Sequence, residues 1–566
     1  MQPPLTDRSN ELADGVEINT FAWTPQARRL LTPDALALLA RLHRALEPER
    51  QSLLMARKAR QESFDNGARP DFLEPTEHPD ARGDWQVAPL PEDLQMRRVE
   101  ITGPVSDAKM VINMLSRTAD GQRADCAMVD FEDSMKPSWN NVMQGVENVI
   151  GIAEGTLSAE KTDAMGVVVK RYQLDPADMA LPMVRVRGLH LDESNLRIDG
   201  APISGGLLDF ALVAYHTAKT FMAKGTTPKF YVPKVEHYLE ARWWNTLMDG
   251  IEDALGLERS TVRATFLIET LPAAYQMEEI LYEIRTHAAG LNGGRWDKIF
   301  SDIKTLRAHG DRVMADRATI GMNRDWMSNY AKQLIRVCHK HGAFGMGGMA
   351  AFTPGRDPEL RARQTAKVVA DKEFEASIGH DGCWVSHPYF IGPALEPFLA
   401  KLDGAQNQLG VIPDLPERPD LLPKSDGPKT MAGLRTNVRV GIAYMKGWNQ
   451  DIGCVAWDNL MEDLATLEIS RAQTWQWLHQ GLFLDEGPQV TKSLVLSIFD
   501  QELAEIKEEI GDAMAGQPEA VVAAELARYE QAARDAAAIF TEDAMRDFLT
   551  TRSDLAGVAN DRAVMV

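Results

Sequence analysis

The sequence predicts an α/β fold, a closed (β/α)8 barrel set between an N-terminal and a C-terminal helical region. Two observations carry this. Eight short apolar runs, RRVEITG, CAMVDFE, MVRVRGL, KFYVPKV, TFLIETL, HAAGLNGG, AFGMGGMAAF and GCWVSHP, alternate with longer helical patterns between about residues 96 and 400. That rhythm implies a parallel sheet with crossover helices, and eight such units fit a closed barrel. On either side of this stretch apolar residues recur at helical spacing instead.

Taken in order, residues 1–90 open with Leu36, Leu39, Leu42 and Leu46 on one helical face, and LLMARKARQESF continues the pattern. The segment DNGARPDFLEPTEHPDARGDW has many breakers and reads as an extended connection. The barrel is assigned to residues 91–403. Its sixth strand has two candidates, HAAGLNGG and WDKIFSDIK. The first is preferred because it puts Asp297 at the strand exit, the C-terminal face where barrel chemistry sits. Residues 404–428 are rich in proline and poor in large apolar residues, which implies a linker or extended arm. Residues 429–566 are helical again. Leu460, Leu464 and Leu467 form one face, continued by Trp475 and Leu478, and Leu503, Ile506 and Ile510 form another.

At 566 residues the chain is expected to hold two or three domains. Its 44% hydrophobic and 25% charged residues are those of a folded globular protein. The formal net charge of -21 speaks against nucleic-acid and acidic-membrane partners. A site for an anionic substrate therefore needs a local positive exception, for which Arg97, Arg98, Arg185, Arg187, Lys234 and Arg295 are available. Cys126, Cys338, Cys383 and Cys454 show no pairing rhythm and read as reduced thiols. No run approaches the roughly 18 apolar residues of a membrane span. The start MQPPLTDRSNELADG lacks the features of a secretory signal, and the end DRAVMV does not match a peroxisomal address. A cytoplasmic location is expected.

Candidate chemistry gathers where the apolar runs end. Glu269 closes ATFLIETLP, Asp297 closes GLNGGRWD, Glu132 and Asp133 lie in AMVDFEDS, and Arg185 lies in PMVRVRGLHL. Either Glu269 or Asp297 alone would serve equally well as a helix cap. At neighbouring strand exits the two can share a hard divalent cation, and magnesium is favoured over zinc because no histidine–cysteine cluster accompanies them. Arg185 and Arg187 are two apart and would share one strand face, each needing an acidic partner such as Glu132 or Asp133. Asp463 stands at a helix start, where an acid is favoured by the helix dipole whether or not it reacts. GMGGMAAF lacks the spacing of a phosphate loop and reads as a glycine-lined strand. CHKH, Cys338 to His341, reads as surface and helix end, and His387 as a structural or supporting residue.

RRVEITGP, DFEDSMKPSWNN, VRVRGLHL, IETLPAAYQMEEIL, GLNGGRWDKIFS, MGGMAAF, DGCWVSHP and MEDLATLEIS together resemble, in order, the motifs of the malate synthase family in its shorter A form. The resemblance runs from Arg97 to Gly481, and the strand-to-strand distances leave no room for the extra domain of the longer G form. It implies a TIM barrel with an N-terminal helical clasp and a C-terminal helical plug. It also implies Mg2+-dependent condensation of acetyl-CoA with glyoxylate, then thioester hydrolysis to malate and CoA. By the same resemblance Glu269 and Asp297 match the magnesium ligands, Arg185 the catalytic arginine and Asp463 the base. Arg185 with Gly294, Arg295, Trp296 and Asp297 matches the glyoxylate site. Glu132 and Asp133 fit a supporting shell around the metal, and Ser134 and Pro388 match acetyl-CoA contacts. A monomer acting on small molecules is expected. The alternatives are a malyl- or citramalyl-CoA lyase and a barrel that binds without catalysing.

Overall fold

A computed structural model describes residues 13–163 and 165–551. The readings made above of the first dozen residues and of DRAVMV lie outside them. Eight parallel strands close into a barrel: β1 (Val99–Pro104), β2 (Cys126–Asp130), β3 (Leu181–Arg185), β4 (Lys229–Val232), β5 (Arg263–Ile268), β6 (Ala288–Gly293), β7 (Phe344–Ala350) and β8 (Gly382–Val385). Each pairs with its neighbours in sequence order, and β8 closes on β1. All eight apolar runs therefore became barrel strands. HAAGLNGG is β6, whereas WDKIFSDIK lies in the helix Arg295–Thr305. Its lysines and aspartates at four-residue spacing suit a helix, and Lys298 and Asp302 pair there across one turn.

Cys126, Met128, Met183, Tyr231, Leu267, Phe344, Met346 and Trp384 fill the barrel interior. Beneath them Arg97 bonds Glu100 at 2.8 Å and the Tyr231 hydroxyl at 2.7 Å. β7 slips register between Met346 and Met349. A Cβ on Gly347 would sit 2.7 Å from Glu375 Oε2, so a larger residue at this bulge would displace that carboxylate. The exposed peptide groups are met by side chains instead: Gly348 N–H donates to Glu375 and Lys372 donates to the Gly348 carbonyl.

The long helix Pro33–Asp65 clasps the barrel wall, packing against the helices Gly205–Ala223 and Tyr238–Leu255. Its buried Arg50 donates to the Leu189 and Leu191 carbonyls, and Trp243 donates back to the Leu46 carbonyl. A short strand, Val16–Ile18, joins the antiparallel strands Asp192–Ile198 and Ala201–Ser204. A hairpin, Ser158–Thr162 with Val168–Gln173, projects between β2 and β3. These ribbons escaped the sequence reading because their residues are largely polar and too short to show alternation.

Residues 404–428 carry no helix or strand. They run along the helix Asp325–Lys340, where Arg336 donates to the Leu415 and Pro416 carbonyls and Asn329 to that of Asp420. A second apolar core then forms among Met431–Trp448, Leu464–His479, Lys492–Ala513 and Glu519–Phe540. Leu460 departs from the expected helical face. It belongs to a short strand, Leu460–Glu462, and the helix begins only after the Asp463 cap. Among the described residues no helix is long and apolar enough to cross a membrane, and all four cysteines are free.

Candidate active site

At β2 the last strand residue, Asp130, stands in register with Arg185, the last residue of β3. Its Oδ1 accepts from Arg185 Nε at 2.8 Å and its Oδ2 from Nη2 at 2.6 Å. The same carboxylate accepts from the backbone of Glu132 and from both the N–H and hydroxyl of Ser134. Asp130 thus folds the DFEDS turn around itself and aims the arginine. Burial pushes its carboxyl up, but the Arg185 and Ser134 bonds outweigh this and leave it below its ordinary value. The guanidinium continues to Asp133 at 3.2 Å and Glu132 at 3.8 Å, and it lies over the Trp384 ring.

Glu269 follows β5. It does not cap the next helical turn, a task done by the Thr270 hydroxyl, which accepts from Ala273 N–H. Instead Glu269 Oε1 accepts from the backbone of Lys234 at 2.8 Å. Asp297 lies in the first turn of Arg295–Thr305, a helix whose cap is Gly294 and which has no side-chain cap bond. A Cβ on Gly294 would come 2.8 Å from Glu269 Cβ, so only glycine lets this turn lie against the acid. The free N–H groups of that helix start favour an anion. Burial and the nearby Glu269 push the Asp297 carboxyl up to about 7, with Lys234 pulling the other way.

Asp463 arrives from the C-terminal helices. It caps Leu464–His479 in a reciprocal box, its Oδ1 accepting from Thr466 N–H while its own N–H donates to the Thr466 hydroxyl. Leu464 N–H donates to the Asp133 carbonyl at 3.1 Å, which docks the cap on the β2 turn. Arg317 holds the preceding Glu462 at 3.2 Å. Burial, followed by the charges of Asp133 and Asp297, drives the Asp463 carboxyl well up, opposed by Arg185. Capping and a place in the cleft are therefore compatible roles for one side chain.

One cleft at the C-terminal mouth is lined by Asp133, Ser134, Arg185, Glu269, Gly294, Arg295, Trp296, Asp297 and Asp463, with Thr102, Leu267, Met349 and Trp384 forming its less polar wall. Glu132 is buried just behind, bonded to Lys234. Pro388 is not part of this lining; it opens a short 3₁₀ turn, Pro388–Phe390, whose cap is His387. Arg187 turns away to Asp209 and Glu193 rather than to Glu132 or Asp133, because it lies beyond the end of β3. Arg97 is committed to Glu100 and Arg98 to Asp125 at the opposite end of the barrel. The local positive charge comes from Arg185, Lys234 and Arg295 alone of the six named. CHKH is not a surface feature: Cys338, His339 and His341 are buried, the histidines bonded to Asp381 and Glu278.

One contributor went unrecognised in the sequence and a second was read only in part. Asp130 directly precedes the acids that drew attention, and only the strand register shows its pairing with Arg185. Lys234, next to last in KFYVPKV, reads only as available positive charge, and nothing in the sequence places it between the acids.

Among the described residues, the buried cations that Asp130, Glu132, Asp133, Glu269, Asp297 and Asp463 face are Arg185 and Lys234, with Arg295 at the partly open side of the cleft. Asp133 Oδ1 is buried with no hydrogen-bond partner. Asp297 Oδ1 is likewise without a hydrogen bond, though the Lys234 ammonium lies 2.9 Å away. An excess of oxygen donors over cations, with buried oxygens unsatisfied, fits a hard divalent cation.

A polar cleft of acids and arginines at the C-terminal mouth of a (β/α)8 barrel, covered by a helical plug, is the arrangement of a barrel enzyme. Family models agree along the chain: the malate synthase N-terminal domain matches residues 15–78, the malate synthase TIM barrel domain residues 181–421, and the malate synthase C-terminal domain residues 428–554. Malate synthase A of Escherichia coli is 43% identical over 94% of this chain and 96% of its own. The malate synthase of Myxococcus xanthus is 45% identical over 86% and 88%. The glyoxysomal malate synthase of Glycine max is 41% identical over 88% of each chain. The chain belongs to the malate synthase family. It is an acyltransferase that joins acetyl-CoA to glyoxylate and releases malate and CoA.

Proposed function

We propose that Arg185, Glu269, Asp297 and Asp463 carry this reaction, and the convergence of all four on one cleft is the observation that supports it. Glu269 and Asp297 would hold Mg2+, which when bound supplies a Lewis acid for the aldehyde of glyoxylate. Gly294, Arg295, Trp296 and Asp297 hold glyoxylate through the N–H groups of their helix start, with Arg185 facing it from β3. Asp463 removes a proton from the acetyl methyl group; its burial strengthens it as a base. Arg185 stabilises the enolate oxygen as charge develops there, because Asp130 holds its fork rigid beforehand. The enolate carbon then attacks the aldehyde carbon, and water hydrolyses the thioester.

Glu132 and Asp133 support the metal site from behind, and Ser134 and Pro388 hold acetyl-CoA. In this reading the chain divides into a clasp (1–90), the barrel (91–403), a linker (404–428) and a plug bearing the base (429–566), and it works as a cytoplasmic monomer. Free-thiol release from acetyl-CoA, with and without glyoxylate and Mg2+, tests the metal requirement. Thiol is expected only when all three are present. Full rates after exhaustive chelation would remove Glu269 and Asp297 from their role.

A further inference from the structure

Lys234 stands among the acids with no part in the steps above. Its Nζ lies 2.8 Å from Asp133, 2.9 Å from Asp297, 3.3 Å from Glu132 and 3.5 Å from Glu269. Arg185 reaches Glu132 and Asp133 from its side but bridges neither Glu269 nor Asp297. Only this ammonium touches both pairs, among the described residues.

The backbone is bent to put it there. Lys234 has φ of 56°, a left-handed conformation that a long side chain adopts only at a cost in strain. The bend lets one residue grip Glu269 twice, with its N–H at 2.8 Å and its ammonium at 3.5 Å. The strained peptide is pinned from the clasp. Arg57, buried on Pro33–Asp65, donates to the Lys234 carbonyl at 2.7 Å while its fork holds Glu240 at 2.8 and 2.6 Å. Glu240 in turn accepts from the Glu236 N–H.

We propose that Lys234 is a positioning residue of the metal centre, an internal counter-cation that gathers Glu132, Asp133, Glu269 and Asp297 before a divalent cation arrives, and that Arg57 holds it in place. The proposal rests on the reading of Glu269 and Asp297 as metal ligands. Without the ammonium, four buried carboxylates stand together with Arg185 as the remaining cation, and unpaired buried charge is strongly destabilising. A divalent cation at Glu269 and Asp297 replaces the missing positive charge. Lys234 therefore lets the fold stand without metal, and its loss makes the fold depend on metal.

The test is the melting temperature of the full chain in EDTA and in excess Mn2+, for wild type, Lys234→Asn and Arg57→Gln, with free Mn2+ followed by EPR. Asparagine tolerates the left-handed backbone, so the first variant removes the ammonium and keeps the bend. Lys234→Asn is expected to melt roughly 5 to 10 °C below wild type in EDTA and to recover most of that with Mn2+. Arg57→Gln should shift in the same sense by less and carries the test should Lys234→Asn fail to fold. A merely structural lysine would give a loss that metal does not repair, and that result overturns the proposal. So does a variant that melts with wild type in EDTA while wild type binds Mn2+. Wild type that binds no Mn2+ would instead overturn the metal reading, and the proposal with it.

Discussion

Asp130 and Arg185 face each other at the ends of adjacent strands and join through two parallel bonds, 2.8 and 2.6 Å long. This fork is the rigid element of the site. Asp130 has no remaining freedom, since the Glu132 N–H also donates to its Oδ1 and the Ser134 N–H and hydroxyl to its Oδ2. Replacing it with asparagine should leave Arg185 charged, buried and short of its main partner. Breaking such a pair costs about 3 to 5 kcal/mol. A lowered denaturation midpoint, with a fall in kcat larger than the rise in KM for glyoxylate, is the expected result. Wild-type kcat in Asp130→Asn would mean that Arg185 needs no such anchor.

Arg185→Lys keeps the charge and loses the planar fork that meets Asp130 and Asp133 together. Turnover should fall by about 10² to 10³, the scale of losing one oxyanion donor. Steady-state kinetics at saturating substrates would read this directly.

Glu269→Gln removes one negative charge beside Asp297 and keeps the side-chain size. Metal and glyoxylate binding should weaken by more than the roughly 10- to 100-fold that follows loss of an outer partner. Calorimetric titration with Mg2+ would check it; unchanged affinity would exclude Glu269 as a ligand.

His380 offers a pH prediction remote from the cleft. It is buried, its Nδ1 bonded to the Gly345 carbonyl, and burial pulls it from 6.5 down to about 4. The unfolded chain therefore binds a proton that the folded chain refuses between these values. Stability from this group is complete above about pH 6.5 and is lost as pH falls towards 4, by about 3 kcal/mol in all. Urea midpoints of wild type should drop over that window more steeply than those of His380→Asn, which keeps a donor and cannot titrate. Parallel profiles would show that His380 is not the group responsible.

Much of this molecule was legible because strand exits in a barrel are both apolar boundaries and chemical positions. The run ending at Glu269 and the run ending before Asp297 predict the strand and the acid together, which also separates β6 from WDKIFSDIK. What stayed hidden depends on three-dimensional register. Arg187 looked equivalent to Arg185 until β3 ended between them. Leu460 looked helical because a four-residue step to Leu464 crosses a strand and a cap. Lys234 was legible only as available positive charge, since its place among four acids comes from a left-handed backbone that no local spacing announces. Asp463 was readable as a helix cap, and its approach to Arg185 through the docking of Leu464 on Asp133 is a long-range contact.

The most direct test of the account is Asp463→Asn. The amide keeps a cap acceptor for Thr466 N–H and the size of the side chain, and it removes the base. Thiol release from acetyl-CoA should fall by about 10² to 10⁴ while glyoxylate and Mg2+ bind as in wild type. Turnover near that of wild type in the folded variant would contradict the assignment of the base.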